Sequence, residues 1–268
     1  MKLIISSSLK AVENYILMSS SVGRFKVLGH RGFSGQFPEN TLLSFSKAIE
    51  EGADGFECDL RLSHDGEVVV FHDDDFNRLC SSKGSIEQSS WKEIQKLKVL
   101  GKEPICHFDQ LIEKFFNQHL AINLEIKKSP RAAQLIDVLA KRIPSLLDSS
   151  TAQLMISSFS KDLLLTAKEK LKDPRINFSP ILSQFKDPIV RSLKAANEIY
   201  SWNIHYSALR DFAADPTRFW AAASETFWCW TANDVAAWEF IEKSPLFVEA
   251  VMTDHPDKLI AYENESES

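Results

Sequence analysis

The stretch GADGFECDLRLSHDGEVVVFHDDD, residues Gly52 to Asp75, reads as a strand, a tight turn and a second strand. Asp65-Gly66 is a favoured pair for a two-residue hairpin turn. With that turn, His64 lies opposite Glu67, Leu62 faces Val69, Leu60 faces Phe71, and Asp59 faces His72. Side chains alternate along a strand, so Glu57 and Asp59 share a face and Cys58 points the other way. The same end of the hairpin also carries Asp73, Asp74 and Asp75. Carboxylates gathered this closely repel unless a cation sits between them or some are protonated. A Glu/Asp pair with a histidine delivered beside it is therefore a candidate metal site.

Outward from this hairpin, short apolar runs alternate with helical patterns. The runs are FKVLGH, GFECDL, LAINLEIK, AQLMISSF, RINFSPIL, EIYSWNIHY, TFWCWTAN and EAVMTDHP. Helix-like stretches such as TLLSFSKAIEEG, RAAQLIDVLAKRI, KDLLLTAKEKL and DVAAWEFIEKS lie between them. Alternating βα units imply a parallel sheet. Eight runs in a chain of 268 residues predict a (β/α)8 TIM-type barrel, with the hairpin's return strand as an extension after the second strand. An open doubly wound sheet is the alternative. Polar residues cluster at the C-terminal ends of the runs: His30, then Glu57 and Asp59, Glu125 and Lys127, Ser158, Asn203 and His205, Trp230 and Asn233, and Asp254. In a barrel those ends form one face, and that face holds the active site.

Composition is ordinary for a globular protein, with 44% hydrophobic and 25% charged residues. The net charge of -6 and the lack of a Lys/Arg-rich block argue against a non-specific nucleic-acid partner. Cys58, Cys80, Cys106 and Cys229 form no Cys-x-x-Cys pair and read as free thiols in a reducing compartment. No apolar run is long enough for a transmembrane helix. Residues 1–23 read as an N-terminal extension interrupted by Lys10 and Glu13, with no signal-peptide core. A cytoplasmic location is expected. The barrel should occupy residues 24–260, and the acidic tail 261–268 should be disordered. The oligomeric state is not legible.

Glu57, Asp59 and Glu125 offer hard oxygen ligands, which suit Mg²⁺ or Ca²⁺ better than zinc. His30 and His72 suit proton transfer near neutral pH. Arg31 and Lys127 add positive charge. A divalent cation, two bases and two imidazoles together suit an anionic phosphoryl centre.

HRGFSGQFPENT, followed by GADGFECDLRLSHDGEVVVFHDDDFNR, NLEIK, WTAN and MTDHP, resembles the glycerophosphodiester phosphodiesterase family. The resemblance runs from Phe25 to Leu259 with the motifs in family order. It implies a TIM-type barrel that hydrolyses glycerophosphodiesters, small molecules such as glycerophosphocholine or glycerophosphoethanolamine, to glycerol 3-phosphate and an alcohol. It further implies Glu57, Asp59 and Glu125 as metal ligands, His30 and His72 as the acid/base pair, and Arg31 and Lys127 as phosphate contacts. Glu39 corresponds to an outer ligand or orienter. Trp230, with Phe159, is the aromatic candidate for lining the glycerol or alcohol pocket. The chain departs from the family at Ser63, where Thr is usual, and at FVEAVMTD, where Gly-Val-Asp-Gly is usual. The short segment after His72 points to a reduced substrate cap.

Two other functions compete. A lysophospholipase D-like enzyme would need an apolar entry surface, for which Phe212, Phe219 and Trp220 are candidates. A catalytically inactive barrel used as a binding module would be expected to have lost ligands, and here every one is present. Intramolecular attack by the glycerol hydroxyl and direct attack by water both suit these residues.

Overall fold

A computed structural model describes residues 25–184, 199–214, 226–244 and 246–266. Twelve strands are described, and eight of them coincide with the eight apolar runs. These are β1 (Lys26–His30), β2 (Gly55–Leu62), β7 (Ala121–Ile126), β8 (Gln153–Ser158), β9 (Ile176–Leu182), β10 (Trp202–His205), β11 (Phe227–Trp230) and β12 (Val248–Thr253). Each pairs in parallel with the next, and β1 pairs with both β2 and β12, which closes the barrel. Helices over Leu42–Glu50, Ala132–Leu147, Lys161–Lys170 and Val235–Glu242 follow their strands, as the apolar periodicity predicts.

Outward-facing strand residues pack against these helices. Phe56, Cys58, Ile122, Leu124 and Ile156 join Phe45, Leu135, Leu139 and Leu164 in the largest apolar cluster. The interior is filled differently. Leu28, Ala121, Met155, Trp228, Ala250 and Met252 form a plug. Beneath it Glu249 accepts hydrogen bonds from Lys26, Tyr200 and the Trp228 indole. The N-terminal end of the barrel is thus filled, and the opposite end is left for a site.

The hairpin forms, but in a register one residue away from the expected one. β3 (Val68–Val70) is antiparallel to β2 with Leu60 opposite Val70, Arg61 opposite Val69 and Leu62 opposite Val68. The loop has three residues, His64 to Gly66, not two. Gly66 takes the left-handed position at φ 90°, which suits the three-residue hairpin. Ser63 locks it, since its hydroxyl donates to Asp65 and accepts from the Glu67 amide. Asp59 consequently stands opposite Phe71, whose amide bonds the Asp59 carbonyl, and His72 lies just beyond the ladder.

Between His72 and β7 the chain builds a small satellite. It comprises short helices over Asn77–Cys80 and Trp91–Ile94, and strands β4 (Lys98–Val99), β5 (Glu103–Pro104) and β6 (Cys106–His107). Phe71, Phe76, Leu79, Ile86, Ile94 and Ile105 give it its own apolar cluster.

The acidic tail is ordered through Ser266, contrary to the sequence expectation. Pro256–Ser266 is one helix that buries Leu259, and Tyr262 bonds Glu242 and packs on Trp238. These tertiary contacts outweigh the polar composition. Residues 1–23, read as an extension, lie outside the described residues. No described helix is long and apolar enough to cross a membrane.

Two glycines allow a direct test of packing against backbone strain. Gly32 and Gly66 both have left-handed φ, 82° and 90°. A Cβ on Gly66 would meet nothing within 4 Å, whereas one on Gly32 would lie 2.5 Å from Ser44 Oγ and 2.6 Å from the Ser44 carbonyl carbon. Gly66→Ala should cost about 1–2 kcal/mol, from left-handed strain alone. Gly32→Ala should cost about 1–3 kcal/mol more, from overpacking. Urea unfolding midpoints measure both, and equal losses would contradict this account of the turn.

Candidate active site

The carboxylate cluster follows from strand register. Glu57 and Asp59 are two apart on β2, and Asp59 is the direct neighbour of Glu125 on β7. All three are buried, and each offers an oxygen lying within 4.8 Å of those of the other two. Burial, then repulsion from Asp59 and Glu125, pushes the Glu57 carboxyl far above its usual range. Burial, then Asp59, pushes Glu125 up to about 7. Asp59 moves the other way. Burial would raise it, but Lys127 and Arg31 outweigh burial and hold it ionised.

Two cations serve this cluster. Lys127 Nζ lies 2.8 Å from Glu125 and 3.2 Å from Asp59 Oδ1. Arg31 Nε lies 3.4 Å from Asp59. The Lys127–Asp59 approach falls outside hydrogen-bonding geometry, so Asp59 Oδ1 is buried without a hydrogen bond. An orphaned buried oxygen among three converging carboxylates, with no sulfur or imidazole in the group, is a donor set that fits Mg²⁺ or Ca²⁺.

The loop after β1 supports the cluster from one side. Arg31 takes a left-handed conformation, φ 56°, which turns the chain over the strand end and points its amide at Glu57 Oε2, 3.0 Å away. Asn40 is also left-handed, φ 57°, a conformation Asn tolerates better than most residues. Its side chain grips Asp59 twice, donating to Oδ2 at 2.7 Å and accepting from the backbone amide at 3.2 Å. Thr41 then caps the helix Leu42–Glu50 through a reciprocal pair with Ser44. Glu39 accepts from Arg31 Nη1 at 2.9 Å.

Each histidine is held by a carboxylate at Nδ1, which leaves Nε2 as its reactive nitrogen. His30 Nδ1 lies 2.7 Å from Asp254, and His30 Nε2 lies 3.9 Å from Glu57. Asp254 is itself gripped by Ser34 and Asn233. Burial would raise its carboxyl, but the bond from His30, then those from Asn233 and Ser34, bring it down to about 2. His72 Nδ1 lies 2.6 Å from Asp73, and the buried Arg61 clamps the His72 carbonyl through Nε and Nη2 at 2.9 and 2.6 Å. Burial, with the Arg31 and Lys127 charges, holds the His72 imidazole below its usual pKa against the opposing pull of Asp59.

One cavity at the C-terminal ends of the strands is lined by His30, Arg31, Glu57, His72, Glu125, Lys127 and Trp230. Asp59 and Glu39 adjoin it through the contacts above and Phe159 lines it too, so the residues read from the sequence as metal ligands, acid/base pair, phosphate contacts, orienter and pocket wall converge. Trp230 stands edge-on to Phe159, and its indole donates to the Asn203 carbonyl. Asn203 also lines the cavity, and its buried Nδ2 has no hydrogen-bond partner. Phe219 and Trp220 lie outside the described residues, as does the side chain of Phe212.

Sequence reasoning missed the partners. Asp254 was visible only as a strand-end residue. Asp73 stands in the run Asp73–Asp75, where nothing local separates it from its neighbours, which lie away from the cluster: Asp74 is exposed beside Arg61, and Asp75 accepts from the Asn77 amide. Arg61, Asn40 and Arg78 carried no signal beyond their places in recognisable motifs.

The model of the glycerophosphoryl diester phosphodiesterase family matches residues 30–258. A glycerophosphodiester phosphodiesterase of Bacillus altitudinis is 33% identical over 112 residues, 39% of this chain and 46% of that one. The chain thus spans about half the length of the curated relatives it matches. Among solved structures, glycerophosphodiester phosphodiesterase from Thermotoga maritima is 27% identical with a TM-score of 0.73, covering 90% of this chain and 99% of that one. An Oleispira antarctica phosphodiesterase in complex with the product sn-glycerol-3-phosphate is 26% identical with a TM-score of 0.74, covering 89% and 96%. With the barrel, the cavity and the motif order in agreement, this chain belongs to the glycerophosphoryl diester phosphodiesterase family.

Proposed function

We propose that the protein hydrolyses glycerophosphodiesters to glycerol 3-phosphate and an alcohol. The observation that carries this reading is the convergence of three buried carboxylates, two carboxylate-anchored imidazoles and two cations on one cavity. The product-bound Oleispira relative supports the substrate class. Glu57, Asp59 and Glu125 would hold a Mg²⁺ or Ca²⁺ ion, whose chemistry when bound is Lewis-acid polarisation of the phosphoryl group.

The chain's own residues account for the remaining steps. Arg31 and Lys127 bind the phosphoryl oxygens and balance the charge that develops there. Glu39 orients Arg31. Burial lowers the His72 pKa and favours the neutral imidazole, so His72 Nε2 takes the proton of the attacking oxygen. That oxygen is either a water that displaces the alcohol directly or the glycerol hydroxyl, in which case water then opens the cyclic phosphate with the two histidine roles reversed. His30 Nε2 gives a proton to the departing alcohol, and the ionised Asp254 at Nδ1 holds the ring and its tautomer. Trp230 and Phe159 wall the cavity against the carbon skeleton, and the free amide of Asn203 is matched to a substrate oxygen.

Release of glycerol 3-phosphate from glycerophosphocholine and glycerophosphoethanolamine is the first test. Chelator should abolish it and Mg²⁺ or Ca²⁺ should restore it, while full turnover in excess chelator contradicts the metal assignment. Cation binding should also expel protons, because burial and the Asp59 charge push the Glu125 carboxyl up to about 7. Calorimetry at pH 7 in buffers of differing ionisation enthalpy should detect this release. It should shrink above pH 8, and affinity should weaken toward pH 6.

Removing an acid or base typically costs ~10²–10⁴-fold in rate. His30→Ala and His72→Ala should each lose that much kcat and keep their circular dichroism. On an aryl phosphodiester with an activated leaving group, His30→Ala should recover and His72→Ala should not. The reverse pattern would exchange the two roles.

A further inference from the structure

One side chain outside the cavity lining touches both halves of this machinery. Arg78 sits on the short helix Asn77–Cys80, with its side chain 50% exposed. Its guanidinium donates Nε to Asp73 Oδ2 at 2.7 Å and Nη2 to Asp73 Oδ1 at 2.9 Å. On the adjoining edge it donates Nη1 to Glu39 Oε2 and Nη2 to Glu39 Oε1, both at 2.8 Å. Asp73 Oδ1 is the atom that holds His72 Nδ1, and Glu39 Oε1 is the atom that holds Arg31 Nη1. The order is therefore His72, Asp73, Arg78, Glu39, Arg31, with charges alternating from Asp73 to Arg31.

We propose that Arg78 is a positioning residue that fixes His72 and Arg31 relative to one another through Asp73 and Glu39. The proposal rests on the reading of His72 as a proton carrier and Arg31 as a phosphate contact. Arg78 is not itself a contact to the reacting groups.

The physical case lies in the geometry of one cation between two anions. An isolated exposed ion pair contributes little. Here a single planar fork makes four bonds to two carboxylates that share its Nη2, so those carboxylates stand side by side. Both are ionised: Asp73 is held at about 2, first by the bond from Arg78, and Glu39, despite burial, is held below its usual range by Arg78 and Arg31. Without the guanidinium, two like charges face each other and move apart. Each carries its catalytic partner with it, since Asp73 follows the segment after β3 and Glu39 follows the loop after β1. A lysine supplies the charge but not the fork, so it cannot hold both carboxylates in one plane.

The test uses Arg78→Gln and Arg78→Lys in the full chain, assayed on glycerophosphocholine with saturating Mg²⁺. A misplacement of about 1 Å can cost ~10²-fold, so kcat should fall ~10- to 100-fold. KM should rise as well, with far-UV circular dichroism unchanged and no rescue by lysine. In an Asp73→Asn background, Arg78→Gln should lower kcat less than threefold further. In a Glu39→Gln background it should no longer raise KM. Proton NMR supplies a readout independent of turnover: the hydrogen-bonded Nδ1 proton of His72 should be protected in the wild type and lost in Arg78→Gln. Wild-type kcat and KM in both variants, losses that multiply independently across the cycles, or a retained His72 proton signal would overturn the proposal. Inactivity of the wild type on every diester would instead overturn the functional reading, while the His72 signal still decides the role of Arg78.

Discussion

Three buried carboxylates that repel one another are the constraint around which this protein is arranged. Their proximity is a consequence of barrel closure: parallel register sets Asp59 beside Glu125, and strand alternation sets Glu57 on the same face. Burial makes the repulsion strong and uncompensated charge costly. The surrounding structure answers it in layers. Lys127 and Arg31 neutralise Asp59, Asn40 grips it from two sides, and the Arg31 amide meets Glu57. What remains is an orphaned oxygen and two carboxyl groups with raised proton affinity, which a divalent cation would satisfy.

The imidazoles are organised on a second principle, in which each is approached at Nδ1 by a carboxylate from its own flank of the barrel mouth. Asp254 comes from the end of β12 and is oriented by Asn233 after β11, so the last two barrel units serve His30 at the end of the first. Asp73 comes from the segment leaving the hairpin and serves His72. Closure of the barrel is thus a requirement of the site as well as of the fold. The left-handed residues Arg31 and Asn40 place backbone cost in the loop that brings the Arg31 amide to Glu57 and the Asn40 side chain to Asp59.

Much of this was legible in the sequence because it depends on periodicity. Eight apolar runs, ending in polar residues, gave the strands, their order and the face they share. Glu57 and Asp59 could be placed on one side of a strand by counting. The hairpin register could not be settled this way, because a two-residue turn and a three-residue turn both use a glycine. Ser63, read only as a departure at a hydroxyl position, closes the loop that selects the longer one. The partners Asp254, Arg61 and Arg78 were not legible, since their roles arise from proximity across the fold and leave no local pattern. Asp73 lay within a run whose neighbours are exposed. The acidic tail was misread because its helix is held by Leu259 and Tyr262 against the barrel, and composition does not register such contacts.

The central claim is that the carboxylate cluster destabilises the fold until a cation or protons relieve it. A carboxyl raised in the folded state binds more protons than in the unfolded chain, so stability of the cation-free protein should rise as pH falls from about 8 toward 5. Thermal unfolding of the wild type and of Glu125→Gln, each in chelator and in Mg²⁺ or Ca²⁺ across that range, measures this directly. The account predicts three results: a wild-type Tm in chelator that climbs on acidification, a large gain from cation at pH 8, and a Glu125→Gln variant that is more stable than wild type in chelator and gains little from cation. A wild type whose Tm in chelator is flat across this range, together with a Glu125→Gln variant less stable than it, would contradict the account.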